Sequence, residues 1–589
     1  MLRRIVLRDR TADGWLEFAR PTDVLIAWTP CDVPGILAEV ERRVQAEQLF
    51  AAGFISYEAA PAFDGAYVTQ PAGVLPLACL GLFREPERIA RLQPSGNAAR
   101  HSQAWRFDSP RERYLENIEK IKRQIEAGNT YQVNYTVRQQ AEGVQDAWGL
   151  FLATATDAPY AAYLDCTDHA IVSASPELFF ELSGDRIVCK PMKGTAPRGM
   201  TTIEDRANRS KLHASVKDRA ENVMIADMVR NDLGRVALPG SVHASALYEV
   251  EKYRTVWQMT STVAASTTSS MSELFGALFP SASVTGAPKV SSMKLIAGLE
   301  DSPREVYTGA IGYIAPDRKA LFNVAIRTAV IDTRTGTGTY GVGGGIVWDS
   351  DPDDEYQECL NKARVLGIPQ PSADFRLLET MSWTREEGFF LLREHLERLA
   401  DSAEYFDFAF DRRRIEARLG ATTASLAATH KHRIRLLLQR NGEVHAAVKP
   451  IASGDEKRAF RLALATSPVD AGDPFLYHKT TQRDVYEKAL AAAGECDDVL
   501  LWNTDGNITE ATIGNVVVRL EGRLFTPPVE CGLLAGTFRR KLLRDGVVEQ
   551  RTIALAELAG AEAIYLVNSV RGWITCELAD GAQVANEAL

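Results

Sequence analysis

Little in this sequence points to a membrane, to nucleic acid, or to a fold stapled by disulfides or metal. No apolar run is long enough to cross a bilayer. The opening MLRRIVLRDRTADGW reaches Asp9 and Arg10 before the core of an export signal could form, so the expected location is cytoplasmic. No cluster of Lys and Arg is interleaved with aromatics, and the net charge is −10, which together argue against a dedicated nucleic-acid binder. The cysteines, Cys31, Cys79, Cys166, Cys189, Cys359, Cys496, Cys531 and Cys576, are scattered without a CxxC pair, so neither a zinc ribbon nor a disulfide framework is expected. Also lacking are a repeat period, a low-complexity tract, and a Walker or Rossmann glycine fingerprint.

What is present is an ordinary globular composition, 46% apolar and 24% charged, over 589 residues, too many for one core. The clearest seam is GIPQPSADF, where two prolines follow a helical pattern. It predicts a domain over residues 1–366, a linker over 367–375 and a second domain over 376–589. In the first, SPRERYLENIEKIKRQIEAGN predicts a helix capped by Ser109, with Tyr114, Ile118, Ile121 and Ile125 on one face. Strand-like runs such as AAYLDC, HAIVSAS and GAIGYIA surround it, and the smaller part also mixes strands and helices. The expected class is α+β throughout, with substantial antiparallel sheet in the larger part.

Within PELFFELSGDRIVCKPMKG, two apolar strands meet at a turn. A loop symmetric about Asp185 would set Glu177 opposite Lys193, an acid beside a nucleophile; a two-residue loop shifts the register by one and pairs Leu182 with Ile187. The pattern alone fits both. Asp218 and Glu221 lie three apart on one predicted helix, and Glu355 and Glu358 three apart on another whose cap is Asp351. Four carboxylates on two helices call for a cation between them, and oxygen ligands suit Mg²⁺. Gly286 in FPSASVTGAPK and the cluster in YGVGGGIVWDS bring backbone N–H groups within reach of an anion.

SASPELFF, PMKGTAPRG, DRAENVMIADMVRNDLG, FPSASVTGAPK, YTGAIGY, AIRTAV, GGGIVWDS and EYQECLNKA run in the order found in the chorismate-utilising enzymes, and this region resembles that family over residues 110–366. The lysine in PMKGT is similar to the aminodeoxychorismate synthase branch, since anthranilate synthases carry a small residue there. The resemblance implies a large antiparallel β-sandwich with surrounding helices, its sheets completed by residues 1–100, where GFISYE is the best anchor. It implies Lys193 as nucleophile at ring C2, Glu177 as general acid on the C4 hydroxyl, and ammonia entering at C4. It places Mg²⁺ on Glu221 and Glu358 with Asp218 and Glu355 outside them. Substrate contacts fall on Gly194, Thr195, Thr285, Gly286, Ala287, Tyr307, Arg327, Gly343, Gly344, Gly345 and Lys362. Gln258 stands where many relatives have histidine and is expected to donate a hydrogen bond to the leaving oxygen.

In the smaller domain, LYHKTTQRDVYEKAL sets Lys479 ahead of a helix and DGNITEATIGNVVV sets Glu510 after a strand. An amine and a carboxylate in this arrangement suit pyridoxal 5'-phosphate, with Arg398 and the backbone at Gly536 and Thr537 as phosphate donors. Together with YLVNSVRGW these strings resemble the fold-type IV pyridoxal-phosphate family over residues 376–575, although that family's usual opening strand and Gly-rich turn before LLETM are not evident. The resemblance implies Lys479 as cofactor lysine and proton shuttle, Glu510 at the ring nitrogen, and a possible homodimer.

The fusion implies 4-aminobenzoate synthesis for the folate pathway: chorismate is aminated, then pyruvate is eliminated. No Gly-x-Cys-x-Gly nucleophile elbow is present, so the expected nitrogen source is a separate glutaminase subunit or free ammonia. Two alternatives stand beside this reading. The smaller domain would be an amino acid aminotransferase, or a non-catalytic platform for the glutaminase.

Overall fold

The computed structural model describes residues 2–12, 14–93, 104–363, 375–424, 426, 430–451 and 458–579. All but one residue of the linker expected over 367–375 lies outside them, and of the stretch before LLETM only Phe375 and Arg376 lie within them. The chain divides into two compact units. One comprises Met1–Pro197 and Arg209–Gln370, the other Arg198–Asn208 and Pro371–Leu589. No helix among the described residues is long and apolar enough to cross a membrane.

Unit 1 is built on two ten-stranded sheets in which every pairing is antiparallel. The first runs, in order, through Gly286–Ala287, Gln132–Ala141, Thr337–Ile346, Thr328–Asp332, His169–Ser175, Tyr160–Cys166, Leu2–Asp9, Gly14–Ala19 and Glu87–Ile89. The second runs through Met192–Pro197, Val256–Ser266, Arg186–Lys190, Leu178–Ser183, Lys319–Val324, Ala310–Ala315, Phe50–Ile55, Ala78–Phe83 and Asp23–Ala27. The first hundred residues thus supply strands to both sheets. Alternation along one strand shows how the layers stack: Ile5 and Leu7 join Phe54, Phe83 and Ile311 of the second sheet in one core, while Val6 faces Tyr114, Ile118 and Phe151. With both faces buried, the strands read as continuous apolar runs, each fully enclosed Leu, Ile or Phe contributing about 1.5–3 kcal/mol.

The helix read from SPRERYLENIEK spans Arg111–Glu126 and buries Tyr114, Ile118 and Ile121 with Ile125 at the margin. Its N-cap position is Pro110 rather than Ser109, in extended backbone and without a side-chain cap bond. The helix Pro352–Ala363 starts as read, Asp351 accepting from the backbone N–H of Asp353 and Asp354.

Unit 2 holds a four-stranded antiparallel sheet, Gly388–Phe389, Leu377–Thr384, His432–Leu438 and Val444–Pro450. Its second sheet is mixed and eight-stranded. Six of those strands close into a ring, because Ile508–Ala511 at one end also pairs with Asn515–Leu520. Leu462, Leu500, Val516, Val518 and Leu566 fill one core against it. The closing pair is Glu510 with Asn515, so closure of the sheet itself fixes where Glu510 stands.

Candidate active sites

In unit 1 the turn after Ser183 has two residues, and Leu182 pairs with Ile187. The register symmetric about Asp185 is therefore not the one formed. Glu177 and Lys193 are not cross-strand partners: the strand Met192–Pro197 leaves the hairpin and pairs with Val256–Ser266. They are nonetheless brought near each other by the fold. Glu177 is buried and accepts a 2.7 Å bond from the Ser283 hydroxyl. Burial pushes its carboxyl up to about 7, with Ser283 and the Lys193 charge pulling the other way.

Lys193 stands on an edge strand of the second sheet, and its Nζ lies 3.5 Å from Glu221 on the helix Val216–Gly234, which packs across that strand. A Cβ on Gly345 would sit 2.6 Å from the same nitrogen, so any larger residue there would displace the lysine tip from its present position. Gly194 adopts φ +95°, and a Cβ there would sit 2.9 Å from Asp218 Cβ. The Gly194 carbonyl accepts from Gln258 Nε2 at 2.7 Å, and Thr195 donates to Gln258 Oε1 at 3.0 Å. Gln258 thus ties down the Gly194 carbonyl and the Thr195 hydroxyl, the two groups that follow the lysine. Lys362 closes the other flank, bonding the Gly343 carbonyl at 2.8 Å and Glu358 at 2.7 Å, while Glu355 accepts from Ser350 and faces Gly344. The Lys362 ammonium holds Glu358 below the usual range, and burial raises Glu355.

The charge argument for a metal resolves differently in this geometry. Glu221 is paired with Lys193 and Glu358 with Lys362, so two ammonium groups already offset the repulsion expected between the acidic helices. Among the described residues no three carboxylates, histidines or cysteines converge on one point. The donors are all oxygen, as Mg²⁺ requires, but as arranged they do not form a metal site.

Other predicted contacts are placed less directly. The Thr285 hydroxyl bonds the Ser281 carbonyl, Gly286 presses on the Gln132 carbonyl, and the Ala287 carbonyl accepts from Thr130 and Tyr131, so this loop is spent on docking to the strand Gln132–Ala141. Tyr307 is buried under the Arg138 guanidinium and against Gly341. Arg327 lines a cavity of about 60 Å³ with Pro176, Tyr253 and Arg254, one residue along the chain from Glu177. Ser283, unread in the sequence, lies inside the quoted string FPSASVTGAPK.

In unit 2, Lys479 makes no side-chain hydrogen bond or ion pair among the described residues, and burial together with the Arg398 charge lowers its ammonium to about 8. Glu510 is buried, raised by that burial to about 7, and accepts from Tyr486 at 2.7 Å, Asn515 at 3.1 Å and the Leu534 N–H at 3.2 Å. Arg398, on the helix Leu392–Phe406, is clamped by both oxygens of Glu379 at 2.8 and 2.7 Å and reaches the Ala535 carbonyl at 3.3 Å. Glu379 also pairs with His395 Nδ1 at 2.6 Å, and against the desolvation of burial the Arg398 charge and these hydrogen bonds hold its carboxyl at about 2, while burial lowers the His395 imidazole. Gly536 and Thr537 begin the helix Thr537–Arg544, with the Thr537 hydroxyl 3.3 Å from His395 Nε2.

A half-buried amine of lowered basicity, a buried carboxyl and an arginine beside a helix start fit the amine, ring-nitrogen and phosphate contacts of pyridoxal phosphate. Glu379, in the string LLETM, was readable only as a strand residue. Nor did the sequence show that unit 2 takes in Arg198–Asn208, where Arg198 is bidentate to Asp205 and stacks 4.5 Å over Tyr405.

The profile of the chorismate binding enzymes matches residues 3–367, and that of the class IV amino-transferases matches residues 376–578. The aminodeoxychorismate synthase of Streptomyces pristinaespiralis is 45% identical over 258 residues, 43% of this chain and 36% of that protein. Aminodeoxychorismate synthase component 1 of Salmonella typhimurium is 40% identical over 278 residues, 46% of this chain and 61% of that protein. The match therefore spans less than two thirds of either curated relative. Among solved structures, anthranilate synthase component I from Streptococcus pneumoniae shares the fold with a TM-score of 0.51 at 22% identity, over 62% of this chain and 92% of that one.

Proposed function

Because the chain belongs to the chorismate binding enzyme family over residues 3–367, we propose that it converts chorismate to 4-aminobenzoate, aminating it in unit 1 and eliminating pyruvate in unit 2. The observation that carries the first step is the Lys193 ammonium set against Gly345, within electrostatic reach of a buried carboxyl whose pKa is about 7. The neutral Lys193 amine bonds to C2 and gives up a proton, for which Glu221 at 3.5 Å is the nearest base. The ring double bonds shift and the C4–O bond breaks, the oxygen leaving as water with the proton of Glu177. Ammonia then bonds to C4 and the C2–N bond breaks, returning its electron pair to Lys193, whose nitrogen takes back the proton held on Glu221 while the new C4 ammonium gives one to Glu177, so both carboxyls are restored. In sum, chorismate and ammonia give 4-amino-4-deoxychorismate and water. Nitrogen comes from a separate glutaminase subunit or from free ammonia, in keeping with the "component 1" in the Salmonella relative's name.

Mg²⁺ belongs to this reading as a proposal. Glu221 and Glu358 are its candidate ligands once their lysines are drawn away, with Asp218 and Glu355 outside them, and no step above depends on it.

In unit 2 pyridoxal phosphate, when bound, supplies the electron sink for bond cleavage next to the substrate amine. Lys479, lowered to about 8, holds roughly a tenth of its population as free amine at pH 7, far more than an ordinary lysine, and moves the proton that elimination of pyruvate requires. Glu510 would face the ring nitrogen, and Arg398, Gly536 and Thr537 would take the phosphate, Arg398 being held in orientation by Glu379. The second reading, an aminotransferase, draws on the class IV amino-transferase match.

Incubating the protein with chorismate, ammonium, Mg²⁺ and pyridoxal phosphate, without a keto acid, separates these readings. 4-Aminobenzoate and pyruvate in equal amounts are expected. Accumulation of the amino intermediate until a keto acid is added would favour the aminotransferase, and unreacted chorismate would end the proposal.

A further inference from the structure

The strand Gln132–Ala141 opens on a side chain that the chemistry above leaves unused. Gln132 is 1% exposed, and neither the nitrogen nor the oxygen of its carboxamide has a hydrogen-bond partner. Its main chain is fixed: the backbone pairs with Ala287, and its carbonyl accepts from the hydroxyls of Thr130 and Ser292 at 3.0 and 3.1 Å. A Cβ built on Gly345 would lie 2.8 Å from Gln132 Nε2 and 2.6 Å from Lys193 Nζ, so amide and ammonium flank one point.

Folded proteins seldom enclose a carboxamide with donor and acceptor both unmet, because its hydration is lost and nothing replaces it. Such a group beside a nucleophilic lysine is completed by what arrives there. The carbon attacked by Lys193 is flanked on the chorismate ring by one carbon bearing a carboxylate and another bearing an ether oxygen, and both substituents are acceptors. The amide N–H suits either one. The amide oxygen suits an N–H of the lysine, and in one respect it is a better partner than Glu221. A carboxylate favours the ammonium, which has no lone pair, whereas a neutral amide accepts from the free amine without protonating it.

We propose that Gln132 binds substrate and positions the nucleophile in the amination site, Oε1 taking an N–H of Lys193 and Nε2 donating to an oxygen acceptor beside the attacked carbon. This rests on the amination reading above.

Two variants and one background test it. Gln132→Leu keeps the volume and removes both polar ends; it is expected to lower kcat/KM for chorismate, with ammonium as nitrogen source, by about 10- to 100-fold. In a Lys193→Ala background, calorimetry is expected to show chorismate binding weakened about tenfold by the same change. Gln132→Glu is isosteric. At neutral pH its carboxylate lacks the donor and holds Lys193 as ammonium, so activity relative to wild type is expected to be low and to recover as pH falls, when a carboxylic acid again offers donor and acceptor. A purely structural glutamine would show no such recovery. Should Gln132→Leu fail to fold, the Glu variant carries the test. Wild-type kcat/KM in Gln132→Glu at every pH, or undiminished chorismate binding in the double variant, would overturn the assignment. Failure of the Lys193→Ala protein to bind chorismate at all would instead remove the amination reading, and this proposal with it.

Discussion

Lys193 and Lys479 are both amines set near a buried carboxyl whose pKa is about 7, yet their surroundings prepare them for different work. Lys193 is paired with Glu221 at an edge strand, where glycines of the opposite sheet leave room for a ring. Lys479 has no such partner, and burial lowers it to about 8. The first amine must be drawn from its ion pair by what binds, whereas the second needs only to lose a proton that burial has already loosened. Their carboxyls differ in the same way. Among the described residues Glu177 has one donor, Ser283, and in the proposed amination it is the acid, so it must hold its proton. Glu510 has three donors among the described residues and in the proposed lyase site is the anion, which a cationic ring nitrogen would favour.

The largest expected effects come from breaking each half alone. Lys193→Ala should cut amination by at least about 10³-fold while leaving elimination from supplied 4-amino-4-deoxychorismate intact; Lys479→Ala should do the reverse and abolish the visible absorbance of the lysine-bound cofactor. Product analysis by chromatography reads both. If either variant stopped both steps, the two sites would not be separate.

Next in size, Glu177→Gln should lower kcat of amination by about 10²- to 10⁴-fold. Wild-type amination should decline as pH rises through about 7, where Glu177 loses its proton. A pH–rate profile that stays flat to pH 9 would show that this carboxyl is not the acid.

A third contrast concerns the phosphate end of unit 2. Glu379→Gln leaves Arg398 without its ion pair inside the protein, and the expected result is about 3–5 kcal/mol of lost stability with weaker cofactor retention, measured by denaturation and by dialysis. Unit 1 has no comparable clamp around Lys193, so amination should change least.

The smallest effect sharpens the comparison of the two carboxyls. Both have folded pKa values of about 7 against 4.5 unfolded, so the folded state holds the extra protons and stability falls as pH rises between those values. Each group removes about 3 kcal/mol at most. Gln at either position should flatten the slope of melting temperature with pH. Cofactor binding should flatten only the Glu510 contribution.

Several parts of this arrangement were legible in the sequence because they are local. Helix periodicity gave Arg111–Glu126 its buried face, the Asp351 cap set the start of Pro352–Ala363, and the two acidic pairs follow from three-residue spacing on one helix. The hairpin register was not legible, since Leu182 opposite Ile187 satisfies the apolar pattern as well as the alternative does. The lysines that neutralise the acidic helices were in view, but their pairing spans 28 positions for Lys193 and Glu221 and depends on how a helix crosses an edge strand.

By itself the sequence determined the helices and their faces and the residue types gathered in the two candidate sites, since periodicity, caps and motif spacing act over a few residues. Tertiary structure alone decided that Glu177 reaches Ser283 instead of a strand partner, that Gln132 is sealed beside Lys193, and that closure of a sheet sets Glu510 in place. The physical reason is that burial and charge pairing depend on distances across strands far apart in the chain, which no local pattern encodes.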